Sequence, residues 1–458
     1  MPSIKEAILV ARSLSDMSKG KVSSLIIAQA IPLALAQLVQ MLYNVVDRVY
    51  IGHMEGVGSM ALTGVGLTFP IITLVSAFTN LYSTGGAPLF AIARGAKDEE
   101  RAHALMGSVT TLLTVTSLVL MAVAYLVRRP VLYLFGASDA SYVYADAYLV
   151  LYLLGTPFTM LATGLNGFIN AQGFPKVGML TTLLGAVINL VLDPLFIFVF
   201  GLGVQGAAIA TVISQAVSCA WVLRFLTGKK ALMPLRRASL RPRWPLVKEI
   251  VTLGFSGFVM MATNSLVQIA CSSTLSAYGG DLYVGVMTVL NSVRDVTTMP
   301  VNGISDGAQP VLGYNYGAGE PGRVRQGIRF MTLVTLIYTF ATWIVTLLFT
   351  RLIMSVFTTD AAMLDAGQEA LKIYFFGYFF MSFQYSGQAV FRSLGKAKQA
   401  VFFSIFRKAI IVVPLTLLLP RLGLGVQGVF MAEPISNAVG GLACYITMWL
   451  TVYRKLKE

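Results

Sequence analysis

The chain has 458 residues, 56% of them hydrophobic and only 12% charged, with a mean hydropathy of +0.74. A soluble domain of ordinary composition carries about 25% charged residues, so this balance excludes a soluble globular protein and indicates an integral membrane one. A β-barrel is excluded too, because its segments of about ten residues alternate in polarity and the apolar runs here are long and continuous.

An α-helix needs about 20 apolar residues to cross a bilayer core. Runs of that length predict twelve spans, at 22–50, 61–90, 104–127, 147–169, 177–200, 206–225, 246–277, 282–312, 330–350, 371–391, 401–419 and 429–452. The expected organisation is a cytoplasmic segment 1–21, a first lobe of six helices over 22–225, a basic linker 226–245 along the membrane surface, a second lobe over 246–452 and a tail 453–458. Segment 1–21 carries Lys5, Arg12, Lys19 and Lys21 with no apolar core, so no cleaved signal peptide is expected.

Net charge is +14, which in a soluble protein would suggest nucleic acid. With a cytoplasmic N-terminus and twelve crossings, the inward loops and tails hold 25 of the 34 Lys and Arg, eight of them between Arg224 and Lys248. That is the positive-inside bias. The charge therefore reports orientation, with both termini cytoplasmic, and no nucleic-acid partner is expected.

The chain repeats itself. Gly201-Leu202-Gly203-Val204-Gln205-Gly206 recurs as Gly423-Leu424-Gly425-Val426-Gln427-Gly428, an offset of 423 − 201 = 222 residues. The same offset relates Pro88 to Pro310, Gly95-Ala96 to Gly317-Ala318, Arg101 to Arg323, Gly173 to Gly395, Lys176 to Lys398 and Ile213-Ser214 to Ile435-Ser436. An even number of crossings per repeat gives the two lobes the same orientation, a parallel repeat of the kind found in secondary transporters, with function expected where the lobes meet.

Two carboxylates interrupt the first half. Asp47 lies near the outer end of span one and Asp193 in span five, within Asn189-Leu190-Val191-Leu192-Asp193-Pro194. A charge inside a bilayer costs several kcal/mol, so such residues handle ions or substrate by default. The alternative for each is a static ion pair with Arg48 or an outer headgroup.

These stretches resemble the MATE (multidrug and toxic compound extrusion) family, in its bacterial DinF-like branch. The matching residues are Leu42-Tyr43-Asn44-Val45-Val46-Asp47 followed by Ile51-Gly52, Asn189 with Asp193-Pro194, Gly206-Ala207-Ala208-Ile209-Ala210-Thr211, and Gln309-Pro310 with Gly313-Tyr314-Asn315-Tyr316-Gly317. The resemblance covers essentially the whole chain. It implies an all-α protein of twelve transmembrane helices in two pseudo-symmetric lobes forming a V, exporting amphipathic, often cationic, compounds in exchange for H+ or Na+. It places a cation site at Asp47, Asn189, Asp193 and Thr211, with Ala207 nearby.

Helix geometry is compatible with that site. Asn189 and Asp193, four apart, share a face, as do Ala207 and Thr211. At 1.5 Å per residue, Asp47, Asp193 and Thr211 each lie roughly 7–10 Å inside the outer boundary of their spans. Two carboxylates, an amide oxygen and a hydroxyl suit Na+, and two close acids suit a shared proton. Either ion fits, and for Asn189 and Thr211 plain helix packing is an alternative. Pro32 and Pro194 read as kinks, and either hinges or fixed bends.

The acids are not duplicated, since the 222-residue offset maps Asp47, Asn189 and Asp193 to Ile269, Ile411 and Leu415. The second half instead carries Arg294-Asp295, Arg407-Lys408 and, opposite Thr211, Glu433. Asp295 is a candidate partner for Arg407 or Lys408 between helices. Glu433, more than about 10 Å farther out along the membrane normal, is left as a candidate binder of a substrate cation; an ion-pair network holding the lobe together is the other reading. Asp306, near the inner end of its span, reads as structural. The aromatic run from Tyr374 to Tyr385, with Tyr378 and Tyr385 as candidate contacts, and the 20 Met suit varied organic cations.

No enzyme motif is present. His53 and His103 fall at span ends, Cys219, Cys271 and Cys444 have no ligand spacing, and no phosphate-binding loop appears. The expectation is a monomeric, ion-coupled multidrug exporter without cofactor or metal beyond a possible Na+ at Asp47 and Asp193. A flippase for a lipid-linked precursor is the runner-up.

Overall fold

The computed structural model describes residues 17–54, 57–135, 137–358 and 360–456, without the side chains of Asn44, Val45, Arg48, Gly58, Ser59 and Asp281. Lys5 and Arg12 of the expected N-terminal segment lie outside the described residues, as does the side chain of Arg48, the alternative partner of Asp47.

Long apolar runs become long helices because, without water to satisfy N–H and C=O groups, the backbone must bond within its own segment. The helices are α1 (Val22–Gly52), α2 (Gly58–Gly66), α3 (Phe69–Gly95), α4 (Glu99–Leu134), α5 (Asp139–Leu154), α6 (Thr156–Ala171), α7 (Pro175–Pro194) and α8 (Gly203–Thr227). A second series follows: α9 (Trp244–Gly280), α10 (281–317), α11 (Pro321–Leu348), α12 (Thr350–Ser355), α13 (Ala361–Tyr374), α14 (Met381–Ser393), α15 (Ala397–Ile405), α16 (Val413–Leu418) and α17 (Gly425–Thr451). Gly280, at φ 67°, separates α9 from α10. Among the described residues there is no strand.

Among the described residues, nine helices are long and apolar enough to cross a membrane, or ten if α5 and α6, bent by 55°, form one span. The two expected spans outside that set are instructive. One, 282–312, carries Arg294, Asp295 and Asp306, and the other, 371–391, is broken at Gly377, whose φ of 65° ends the helical run after Tyr374. Polarity and a break, both in the second half, are what depart from a plain apolar span.

Internal contacts divide the chain into two compact units. Pro32–Gly254 forms the bulk of the first, and Met17–Ile31 with Phe255–Glu458 forms the second. The division therefore falls at Ile31–Pro32 inside α1 and at Gly254 inside α9, where the expectation put 1–21, 22–225, 226–245 and 246–452. Residues 17–20 are held within the second unit by Arg323, which donates to the carbonyls of Met17 (3.0 Å) and Gly20 (2.9 Å) and to Asn315 Oδ1 (2.7 Å).

The basic linker is docked on the first unit. Thr111 donates to the carbonyl of Leu240, the Met233 amide donates to Gln172, and Arg243 and Glu249 pair with Glu100 and Arg101 at 2.7 and 2.6 Å. Gly107 permits this, since a Cβ there would lie 2.0 Å from the Ser239 carbonyl oxygen.

The repeat has a backbone counterpart. Gly173 and Gly395 have φ of 89° and 68°, Gly201 and Gly423 have 64° and 94°, and Gly203 and Gly425 have 54° and 50°. Lys97, at φ 58°, stands 222 residues before Gly319 at 72°. Left-handed φ is nearly free for glycine and costly for other residues, so the shared motif is a shared set of turns.

Candidate functional site

In the first unit, α7 and α8 bring three polar side chains together. Asn189, Asp193 and Thr211 are all buried, at 0%, 1% and 2% exposure. Asn189 Nδ2 donates to Asp193 Oδ1 at 3.1 Å and to Thr211 Oγ1 at 3.3 Å. Thr211 Oγ1 in turn donates to the Ala207 carbonyl at 2.9 Å, so toward Asn189 it acts as an acceptor. Ala207 thus enters through its backbone. Asp47, from α1, sets its carboxyl group beside that of Asp193.

The chemistry of this group is a surplus of acceptors. Asn189 has spent both amide hydrogens, and Asn189 Oδ1 and Asp193 Oδ2 are buried without a hydrogen-bond donor among the described residues. Buried acceptors are normally satisfied, so hard oxygens left together without donors suit a proton or a small hard cation. No cluster of three or more His, Cys, Asp or Glu able to hold a metal occurs among the described residues.

Three tyrosines complete the pocket. Tyr43, Tyr148 and Tyr152 lie within electrostatic reach of Asp47, and the hydroxyls of Tyr43 and Tyr148 face Thr211. Tyr148 and Tyr152 are stacked at 5.6 Å and nearly fully buried. Tyr148 and Tyr152 were passed over in the sequence, although they are one helical turn apart in an apolar run, and Tyr43 stands inside the Leu42–Asp47 stretch without a role of its own there.

Pro194 closes α7, and Leu195–Val199 continues as a π-helical turn, so the chain is distorted directly after Asp193. Pro32 lies within α1 with no break in the helix. It does mark the residue at which α1 passes from the second unit to the first.

The second unit holds a different cluster, and here two expectations are corrected. Glu433 is not free: its carboxylate accepts from Lys408 Nζ through both oxygens at 3.1 Å and from Arg407 Nη1 at 3.1 Å. Arg407 also donates to Asn437 Oδ1. The expected axial gap closes because Phe406–Val412 is π-helical, and because arginine and lysine carry long stems. The wider turn lets two consecutive residues face α17. Asp295 pairs with neither Arg407 nor Lys408. Neighbours on a helix point about 100° apart, so with Arg294 turned inward the Asp295 side chain is 66% exposed, 3.9 Å from Arg294.

Arg294 donates to the Tyr374 hydroxyl at 2.7 Å, and Tyr374 with Arg294, Asp295, Lys408 and Glu433 lines a cavity of about 230 Å³. Tyr378 does not line it; its hydroxyl donates to Thr297 at 3.1 Å and sits 3.3 Å from Thr298. Tyr385 packs against the apolar core. Asp306 accepts from Gln309 at 2.8 Å, a contact within its own helix.

A family model described as MatE matches residues 32–195 and 258–418, once in each repeat and over more than half of the chain. The chain belongs to the MatE family. Among curated relatives, the multidrug export protein MepA of Staphylococcus haemolyticus is 25% identical over 415 residues, covering 90% of this chain and 89% of the relative. MepA of Staphylococcus saprophyticus is 22% identical over 422 residues, covering 92% of both. The fold matches a crystal structure of MATE in the bent conformation with TM-score 0.90, 22% identity and coverage of 96% and 98%. It matches equally the outward-facing conformation of a multidrug resistance MATE family transporter of the MOP superfamily, with TM-score 0.89, 22% identity and coverage of 97% and 98%. This MatE chain is therefore an all-α, multi-pass membrane protein with the MATE fold.

Proposed function

We propose that this MatE chain exports amphipathic small molecules across a bacterial inner membrane by antiport against H+ or Na+, and that Asp47, Asn189, Asp193 and Thr211 form the coupling site. Membership of the MatE family and full-length likeness to MepA multidrug export proteins support the export. The carboxyl pair of half-buried Asp47 and buried Asp193, set beside unsatisfied acceptors in membrane helices, is the observation behind the coupling.

Two adjacent carboxylates repel, and one proton or one Na+ cancels much of that repulsion. Binding of the ion then stabilises the conformation in which the four groups converge, and a substrate that prefers the other conformation drives it off. Alternating access follows from those opposed preferences, with Pro32 and Pro194 as the proposed hinges. The export of organic cations as a monomer, with both termini cytoplasmic, completes the proposal.

The test is efflux of ethidium from energised vesicles. Asp193→Asn keeps the shape and the Asn189 contact but removes the charge, and it is expected to abolish gradient-driven efflux while leaving folding intact. Full efflux by both Asp47→Asn and Asp193→Asn refutes the assignment. Imposing a pH gradient and a Na+ gradient separately then identifies the ion.

A further inference from the structure

We infer that the cavity of the second unit binds an anionic group, a carboxylate or a phosphate, through Arg294 and Lys408. The identity of the molecule that brings the anion rests on the exporter reading above; the binding itself does not.

Arg294, Arg407 and Lys408 bring three cations into one cluster, and Glu433 is already shared between Arg407 and Lys408. The remaining carboxylate, Asp295, is 66% exposed and lies 3.9 Å from Arg294, beyond hydrogen-bond distance. Arg294 therefore makes its short contact with a neutral group, the Tyr374 hydroxyl. A guanidinium has five N–H donors, and its fork matches the two oxygens of a carboxylate or phosphate. Burying a cation without a full counter-charge is costly, so an incoming anion recovers energy that an incoming cation would forfeit.

The setting fits a head group. Asp295 and Glu433 line the cavity with Arg294 and Lys408, and Gln268, Asn291 and Tyr374 add neutral hydrogen-bonding groups; with Arg407 behind Glu433 the cluster holds three cations to two carboxylates, an excess of one positive charge. Its volume of about 230 Å³ is below the roughly 300–1,000 Å³ of sites that enclose a drug-sized ligand. It has room for the charged end of an amphipathic molecule, and an exported compound is then preferred when it carries an acid group, even beside a cationic one.

Rhodamine 110, which carries a free carboxylate, and rhodamine 123, its methyl ester, isolate that group. Fluorescence anisotropy with the purified full-length chain in detergent should show rhodamine 110 binding about 10-fold tighter or more, the worth of a hydrogen-bonded charge pair. Arg294→Gln should erase the preference while moving rhodamine 123 by less than about 2-fold. Should that variant fail to fold, Arg294→Lys keeps the charge without the fork and should show an intermediate preference; a preference equal to the wild type's overturns the role of the fork. Equal or tighter binding of the ester by the wild type overturns the proposal.

Displacement of rhodamine 110 by phosphatidylglycerol in nanodiscs assigns the anion to a lipid head group, and persistence assigns it to the transported compound. Asp193→Asn separates the two readings. Lost efflux with the carboxylate preference intact supports both, whereas efflux without the preference removes this one alone.

Discussion

The two units use the same backbone turns to carry opposite chemistry. The last helix of each repeat presents polar residues one turn apart, Thr211 and Gln215 on α8 and Glu433 and Asn437 on α17, at the shared offset of 222. In the first unit that face meets Asn189, Asp193 and Asp47, a set rich in acceptors and without a cation among its described side chains. In the second it meets Arg407 and Lys408, and the acid is neutralised twice over. Duplication preserved the scaffold, while the side chains mounted on it diverged. Among the described side chains, one cluster is rich in acceptors and the other in cations.

That contrast can be broken in graded steps. The largest effect is expected from Asp193→Asn, which should take gradient-driven efflux to background with little change in unfolding; loss of the folded state instead would make the first cluster structural. Glu433→Gln should do the converse, because it strands two buried cations at a cost of about 3–5 kcal/mol. Unfolding in mixed micelles reads it, and an unchanged transition would mean that water already screens the cluster.

Shared scaffolding predicts matched penalties. A Cβ on Gly206 would lie 2.6 Å from the Phe196 backbone, and one on Gly428 would lie 2.8 Å from the backbone of Leu419. Gly206→Ala and Gly428→Ala should each cost about 1–3 kcal/mol by overpacking. A difference between them well beyond that range would show that the repeats do not bear load alike.

Tyr148→Phe removes one hydroxyl beside Thr211 and should cost about 0.5–1.5 kcal/mol, read as a modest rise in the ion concentration needed for half-maximal efflux. Arg101→Ala, which removes an exposed ion pair with Glu249, is expected to change stability by only about 0–1 kcal/mol. A larger loss would mean that the linker depends on it.

Much of the site was legible because intramembrane charge is rare: Asp47 and Asp193 stand out in an apolar run without any coordinate. Asn189 followed from its i, i+4 spacing to Asp193, and Thr211 from the quoted family motif. The tyrosines were not legible, since an aromatic in an apolar span suits lipid, core or cavity equally, and only the packing of α1 against α5 and α8 chooses. Partner choice in the second unit was hidden for another reason. Axial arithmetic assumes regular helices, and the π-turn at Phe406–Val412 rotates Arg407 and Lys408 onto Glu433.

By itself the sequence determined the class of solvent, the helical content, the duplication and the turns, because hydropathy, charge placement and glycine spacing act over short stretches of chain. Tertiary structure alone decided which carboxylate meets cations, as Glu433 meets Arg407 and Lys408. That outcome depends on side chains from helices far apart in sequence meeting at one depth, and local irregularities in those helices set the meeting point.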